Sequence, residues 1–228
     1  DPQGRETVLA LVRIMRHLGI TFGVLRKEKC TGDPVRRLGN DYLFQQMVEA
    51  NLETLNESKP HKLVSICPHC VRTIGTDYRA FGYQVRIVHT AEFVEELTRG
   101  AGRRDQPDPD GSGRVVYHDP CYLGRGNGEY EAPRELIQRL DVALHEMKRS
   151  KSNGLCCGAG GAQMFKEPEK GEKDINIERT QEALELNPDV IAVGCPFCMT
   201  MMTDGVKEKE AAEKVQVKDI AELVAEQL

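Results

Sequence analysis

The stretch Leu63-Val-Ser-Ile-Cys-Pro-His-Cys70 recurs 128 positions later as Ile191-Ala-Val-Gly-Cys-Pro-Phe-Cys198. In both copies a short apolar run leads into a Cys-Pro-x-Cys motif. Apolar runs of this length, bounded by turn-forming residues, are typical of buried strands. Proline is favoured at the first position of a helix, where no N–H is needed. Each copy therefore predicts a strand that ends at a cysteine pair and is followed at once by a helix.

A third cysteine repeats at nearly the same offset. Cys30 and Cys157 lie 127 positions apart. Thirty-six residues separate Cys30 from Cys67, and 37 residues separate Cys157 from Cys195. Three positions that recur at one offset predict an internal duplication. The Gly/Pro/Asp-rich run 100–113 marks the break. We therefore expect a first cysteine-rich repeat at 1–100, a linker at 101–113 and a second repeat at 114–228.

The hydrophobic pattern alternates between helical and extended periods, which predicts the α/β class with parallel strands. We expect two pseudo-repeated units, each a small parallel sheet flanked by helices, with cysteine loops at the C-terminal strand ends. Helices are predicted over 5–18, 41–56, 91–99, 133–140, 175–186 and 220–227, and from each Cys-Pro-x-Cys motif onward. Strands are predicted over 20–25, 62–66, 84–88, 114–117, 142–147, 190–193 and 215–217.

The composition restricts the class of protein. The 228 residues carry a formal net charge of −5, which argues against a nucleic-acid binder that relies on a basic patch. No apolar run approaches the roughly 20 residues of a membrane helix. Eight cysteines are too few for a disulfide scaffold of this length, and no signal peptide is apparent. We therefore predict a reducing, cytoplasmic setting, with any membrane association made through another part of the protein.

Each cysteine group follows a predicted strand or begins a predicted helix. This edge of an α/β sheet is where ligands bind, and helix N-termini stabilise anionic groups. A lone cysteine pair is compatible with structural zinc or with a thioredoxin-like redox site. Two pairs in duplicated context, together with the adjacent Cys156 and Cys157, favour an iron–sulfur site. The second repeat also holds five cysteines, one more than tetrahedral zinc needs.

A family resemblance is carried by five motifs: Cys30-Thr-Gly-Asp-Pro-Val-Arg-Arg37, Cys67-Pro-His-Cys70, Tyr117-His-Asp-Pro-Cys-Tyr-Leu-Gly-Arg125, Leu155-Cys-Cys-Gly-Ala-Gly-Gly161 and Gly194-Cys-Pro-Phe-Cys198. With them the whole chain resembles the CCG-type cysteine-rich domain of heterodisulfide reductase B/D-like iron–sulfur oxidoreductases. It looks most like the C-terminal part of the membrane-associated members. The resemblance implies iron–sulfur electron transfer.

The resemblance also implies a ligand set. A [4Fe–4S] cluster, noncubane in the best-understood members, would be held by five cysteines of the second repeat: Cys121, Cys156, Cys157, Cys195 and Cys198.

The first repeat departs from this pattern because Lys29 stands where the second repeat has Cys156. Only Cys30, Cys67 and Cys70 remain there, for a [4Fe–4S] cluster or zinc, so that site would be incomplete. We expect a further strand and cysteine just before Asp1, which makes this chain a piece of a longer protein.

Two further roles follow from these positions. Cys156 and Cys157 are candidate catalytic residues if the cluster performs two-electron thiol/disulfide chemistry. His118 is a candidate for a proton or outer-partner role beside the cluster. The alternative is that Asp119 caps the following turn and His118 is an ordinary buried polar residue. The sequence leaves both interpretations open.

The predicted function is an iron–sulfur electron-transfer module of a larger oxidoreductase. Its donor would be an electron-transfer flavoprotein or a partner iron–sulfur subunit, and its acceptor a quinone or a disulfide. No nucleic-acid partner is expected. The alternative from a different class is a zinc-stabilised interaction module without redox activity.

Overall fold

Two parallel sheets form the centre of the chain, which we describe from a computed structural model covering residues 2–99, 113–167 and 171–228. The smaller sheet pairs β1 (Lys62–Ser65) with β2 (Arg86–His89). The larger sheet contains β3 (Arg114–Tyr117), β4 (Ala143–His145), β5 (Val190–Val193) and β6 (Gln216–Asp219), in the order β4-β3-β5-β6. Neighbouring strands are parallel throughout both sheets.

Helices connect these strands and cover the sheets. They are α1 (Pro2–His17), α2 (Asp33–Arg37), α3 (Asp41–Ser58), α4 (Pro68–Gly75), α5 (Thr90–Thr98), α6 (Glu131–Arg139), α7 (Ile175–Leu184), α8 (Pro196–Glu208) and α9 (Ile220–Ala225). The predicted α/β class, with two small parallel sheets flanked by helices, is confirmed. Among the described helices, none combines the length and hydropathy that a bilayer-spanning segment requires.

The order β1-α4-β2-α5 in the first half matches the order β5-α8-β6-α9 in the second. The proposed division at 100 and 114 stays a prediction, because the linker at 101–113 lies outside the described residues except for Gly113. The two halves share a hydrophobic core, since α1 packs against α9 and α5 against α6. That core joins Ile14 and Val94 of the first half to Ile137 and Ile220 of the second.

The predicted strand at 20–25 is wrong. The segment has no regular secondary structure and forms no ladder, and Val24 in it is 70% exposed. Its counterpart in the second half, β4, is a strand because it pairs with β3. Within the described residues β1 pairs only with β2, so the segment has no neighbouring strand to hydrogen-bond. An apolar alternating pattern produces a strand only where such a neighbour exists.

Two short elements near the cysteines were not predicted. Helix α2 begins directly after Gly32, whose φ of +88° belongs to the left-handed region that glycine adopts without strain. A single π-helical turn covers Tyr122–Gly126. Gly124 permits this turn, because a Cβ at that position would collide with the ring of Tyr130. Such turns are frequently found at functional sites.

Gly205 allows α7 and α8 to approach closely. A Cβ at Gly205 would collide with the side chain of Thr180 and lie 3.2 Å from the carbonyl oxygen of Asn176. We predict that Gly205→Ala lowers the free energy of unfolding by about 1–3 kcal/mol, because overpacking forces neighbouring atoms apart. Urea denaturation measures this. Gly23→Ala is the matched control, since its Cβ would meet nothing within 4 Å; equal stability of the two variants would contradict the close packing.

Strand β6 ends at Asp219, which is buried and caps α9 by accepting a hydrogen bond from the backbone N–H of Ala221 at 2.9 Å. Burial raises the pKa of this carboxyl from 3.8 to about 7, and nearby Glu222 adds to the shift. The folded state therefore holds a proton that the unfolded chain has lost. Stability that this group supplies in acid is lost as pH rises from about 4 to 7.

Asp219→Asn keeps an oxygen that can cap the helix but removes the titrating charge. We predict that the variant gains stability relative to the original chain as pH rises from about 4 to 7, by roughly 1–3 kcal/mol at neutral pH. Urea denaturation of both proteins across this range measures the difference. Parallel pH profiles would contradict it.

Candidate metal centre

Strands β1 and β5 each deliver a cysteine to the first turn of a helix. Cys67 is the N-cap of α4 and Cys195 is the N-cap of α8, and both have extended backbone angles. Pro68 and Pro196 occupy the next position, as the sequence predicted. The last cysteine of each motif, Cys70 or Cys198, then lies within the first turn, where unpaired backbone N–H groups stabilise negative charge.

Seven cysteines form one row in which each thiol interacts with the next. Within the second half, the Sγ atoms of Cys157 and Cys198 are 3.4 Å apart, and those of Cys121 and Cys156 are 3.9 Å apart. The row also crosses between the halves, because the Cys67 and Cys195 thiols interact closely enough to raise the pKa of Cys67 and lower that of Cys195. Its order is Cys70, Cys67, Cys195, Cys198, Cys157, Cys156 and Cys121. The sequence treated the two halves as separate sites; in the structure Cys67 of the first half and Cys195 of the second influence each other's ionisation.

Cys30 lies apart from this row. Its side chain is exposed, and its carbonyl oxygen accepts a hydrogen bond from the Asn51 amide at 2.9 Å. The next residue connects it to the site, since the Thr31 hydroxyl donates to the Sγ of Cys70 at 3.6 Å. Tyr78 holds the same loop by donating from its hydroxyl to the Thr31 carbonyl at 3.1 Å. The structure therefore places Cys30 at the edge of the site and not within it.

The row contains two thiols whose pKa is lowered. Hydrogen bonds from Cys121 and Cys157 hold the pKa of Cys156 far below its ordinary value, and the Gly158 N–H donates to the same sulfur at 3.3 Å. Burial opposes ionisation of Cys195, but hydrogen bonds from Cys198 and Cys67 still lower its pKa well below 9.0. Their neighbours in the row have raised pKa values because they donate these bonds. Thiolates bind metal, and Cys156 and Cys195 are the positions in the row where the surroundings favour the ionised form.

His118 and Arg179 meet beside the second-half thiols. A ring nitrogen of His118 and the Sγ atoms of Cys157 and Cys198 all lie within 4.8 Å of one another, and all three residues are buried. Arg179 donates from Nε to the Nδ1 of His118 at 3.0 Å. Burial, and then the positive charge of Arg179, lower the pKa of His118 to about 3. His118 is therefore neutral. No sequence signal pointed to Arg179, which lies 61 positions away.

Asp119 is committed to a buried ion pair. Arg134 donates two hydrogen bonds to its carboxylate, at 2.8 and 2.9 Å, and the backbone N–H of Lys151 donates a third at 2.8 Å. Arg134 also pairs with Glu146 at 2.6 Å. These bonds tie the end of β3 to the loop that leads into Cys156. Asp119 thus orders the loop and is not simply the turn cap that the sequence suggested.

His69 lies where the two halves meet. Its Nδ1 is 2.7 Å from a carboxylate oxygen of Asp33, and its ring stacks on Tyr122 with 3.7 Å between the ring centroids. The Phe197 ring packs edge-on against it at 4.8 Å. Hydrogen bonding to His69 and Arg37 lowers the pKa of Asp33 despite its burial. The position of His69 within a cysteine motif was the only sequence signal for this group.

The donor set fits an iron–sulfur group. Thiolates are soft ligands of the kind that such clusters require, and seven contiguous sulfurs exceed the four of a tetrahedral zinc site. Within the described residues, three buried side-chain nitrogen or oxygen atoms have no hydrogen-bond partner, and two of them are His118 Nε2 and Arg179 Nη2. Unpaired buried donors beside thiolates fit a site built to receive a group with sulfur acceptors.

Comparison with known proteins yields one family and several relatives. Residues 1–75 and 115–203 match the family described as "CCG: Cysteine-rich domain". The chain is 40% identical to the "Probable iron-sulfur-binding oxidoreductase FadF" of Bacillus subtilis over 99% of this chain and 32% of that protein. It is 40% identical to the "EtfAB:quinone oxidoreductase" of Syntrophomonas wolfei, over 98% of this chain and 32% of that protein.

A third relative is one of the subunits of the "Dihydromethanophenazine:CoB--CoM heterodisulfide reductase" of Methanosarcina barkeri, 33% identical over 96% of this chain and 54% of that protein. The chain thus spans about a third of the length of the first two relatives and about half of the third. The resemblance predicted from the sequence motifs is confirmed.

The separation between Cys157 and Cys30 generates a prediction. Cys157 is buried in the middle of the row, whereas Cys30 is exposed at its edge. We predict that Cys157→Ser abolishes the iron–sulfur signal of the second half, because a buried sulfur ligand is lost, and that Cys30→Ser retains it. Electron paramagnetic resonance of anaerobically purified protein, with iron and sulfide assays, measures this. Equal loss in both variants would contradict the separation.

Proposed function

Because the chain belongs to the CCG cysteine-rich domain family, we propose that it is the iron–sulfur electron-transfer module of a larger oxidoreductase. The observation that carries this proposal is the continuous row of seven thiols, which runs from Cys70 in the first half to Cys121 in the second. The relatives named above are oxidoreductases or a subunit of one, and the Bacillus subtilis relative is named as iron-sulfur-binding, which supports the same function.

We propose that the ligands of the second half are the five cysteines Cys121, Cys156, Cys157, Cys195 and Cys198. When bound there, a [4Fe–4S] group accepts and returns electrons; a noncubane form is our proposal for this five-thiol set. The chain supplies thiolates at Cys156 and Cys195, and burial of Cys195 and Cys198 excludes water from the sulfur atoms. Low solvent access is one of the properties by which a protein sets a reduction potential.

For the first half we propose a site at Cys67 and Cys70, with Cys30 at its edge, for a second [4Fe–4S] group or for zinc. The contact between Cys67 and Cys195 supports a short route between the two halves. His69, Asp33 and Tyr122 pack against that junction and hold α4 beside the π-helical turn. Their role in this proposal is to fix the distance between the halves.

The electron donor and acceptor belong to the longer protein and its partners. One relative is named for transfer from EtfAB to quinone, and another is part of a heterodisulfide reductase. By analogy we propose a flavoprotein or partner iron–sulfur donor and a quinone or disulfide acceptor. With a disulfide acceptor, two electrons and two protons would convert it to two thiols. A cytoplasmic site of action, with membrane association through another part of the protein, belongs to the same proposal.

Metal analysis of anaerobically purified protein tests the proposal. We predict several irons and matching acid-labile sulfide per chain, a brown colour, and a paramagnetic signal that changes reversibly on one-electron reduction or oxidation. The signal requires thiolate ligands, so Cys195→Ser should reduce iron content, whereas serine at the exposed Cys30 should leave the second-half signal in place. A colourless chain with stoichiometric zinc and no iron would contradict electron transfer and favour a zinc-stabilised interaction module.

A further inference from the structure

The buried contact between His118 and Arg179 is not explained by thiol ligation alone. Both side chains are 0% exposed. Arg179 lies on α7, which packs against α8, the helix that begins at Cys195. Its Nη1 donates to the Arg149 carbonyl at 2.8 Å and to the Glu182 carboxylate at 3.0 Å, while its Nε donates to His118 Nδ1. The guanidinium is therefore fixed on two sides.

The Arg179 bond determines which nitrogen of His118 carries the proton. A guanidinium nitrogen can only donate, so Nδ1 must accept with its lone pair. A neutral imidazole then carries its single proton on Nε2. That atom is buried and has no hydrogen-bond partner among the described residues. An unpaired buried N–H destabilises a fold, which is a reason to look for its acceptor.

The sulfur atoms beside the ring are candidate acceptors. A ring nitrogen of His118 lies within 4.8 Å of the Sγ atoms of Cys157 and Cys198. The same proximity also fits a histidine that ligates a metal ion, but ligation through Nε2 requires a lone pair on Nε2 and the proton on Nδ1. That proton would then face the Arg179 N–H across 3.0 Å, with two donors and no acceptor. Arg179 thus excludes the ligand tautomer.

We propose that His118 is an Nε2–H donor to sulfur at the second-half cysteine site, held in that tautomer by Arg179, and is not a metal ligand. This inference rests on the proposed iron–sulfur function for its effect on electron transfer. Hydrogen bonds to cluster sulfurs stabilise the reduced state, which carries more negative charge, and so raise the reduction potential. His118 is then a positioning residue that sets the potential, and Arg179 controls it.

Two substitutions at His118 test whether its Nε2–H donor sets the reduction potential. His118→Leu removes the donor, and His118→Gln places an amide N–H near the position of Nε2. We predict that His118→Leu retains iron and sulfide but has a more negative midpoint potential than the original protein. The His118→Gln potential should lie between the two. His61→Leu, at an exposed histidine, is the matched control and should leave the potential unchanged.

Whether iron is bonded directly to a histidine nitrogen can be tested without any substitution. In protein labelled with [15N]histidine, pulsed electron paramagnetic resonance should show only weak coupling between the nitrogen and the second-half signal. Weak coupling is expected because the nitrogen reaches the cluster only through a hydrogen bond to sulfur. Strong coupling from directly bound nitrogen would overturn the proposal. So would an unchanged potential in folded His118→Leu. This spectrum is measured on the original chain, so it decides the question even if His118→Leu does not fold.

A failure of the iron–sulfur proposal would leave the tautomer testable. If the chain contains zinc and no iron, nitrogen–proton correlation spectra of [15N]histidine protein should show His118 protonated on Nε2 and unprotonated on Nδ1. Protonation on Nδ1, or a zinc–nitrogen bond in X-ray absorption, would overturn the inference. Iron content thus tests the function, and the tautomer tests the role of His118.

Discussion

The approach of Cys67 to Cys195, close enough for each thiol to shift the pKa of the other, is the constraint on which the rest of the structure depends. Two thiols from different halves can meet only if β1 and β5 end at the same place and both following helices start there. The shared core of α1, α5, α6 and α9 holds the sheets in that relation. Each proline after a first cysteine occupies the first helical position, where a backbone N–H would have no partner within the helix. The sulfur row is thus a consequence of how the two halves pack.

Electrostatics explain why the site needs so many supporting residues. Two anionic thiolates in a buried row require nearby donors, and these are other thiols, the Gly158 N–H and the helix N-termini. Charged side chains stay one layer away, paired with each other: Asp119 with Arg134, and Arg179 with Glu182. Buried charges without partners would destabilise the fold, so each of these pairs serves structure and site at once.

The sequence predicted much of this arrangement because its signals are local. A strand that ends in Cys-Pro-x-Cys is visible in eight residues, and repetition of that motif predicted the two parallel sheets. The strand at 20–25 failed because pairing depends on a neighbour that a local pattern does not contain. Arg179 and the stacking of His69 on Tyr122 could not be predicted either, since each joins residues that only the folded chain brings together. The approach of Cys67 to Cys195 could not be predicted for the same reason, because the two residues lie far apart in the sequence.

The common core of the two halves has a consequence for how such a chain evolves. Two copies that bury their apolar faces against each other can no longer fold or be exchanged independently. A ligand position in one copy can nevertheless drift, because the partner copy maintains the scaffold around it. Lys29 stands where the other copy has Cys156, so the two copies differ at this position. A shared core thus allows the cysteine sets of the two copies to differ while both copies stay folded.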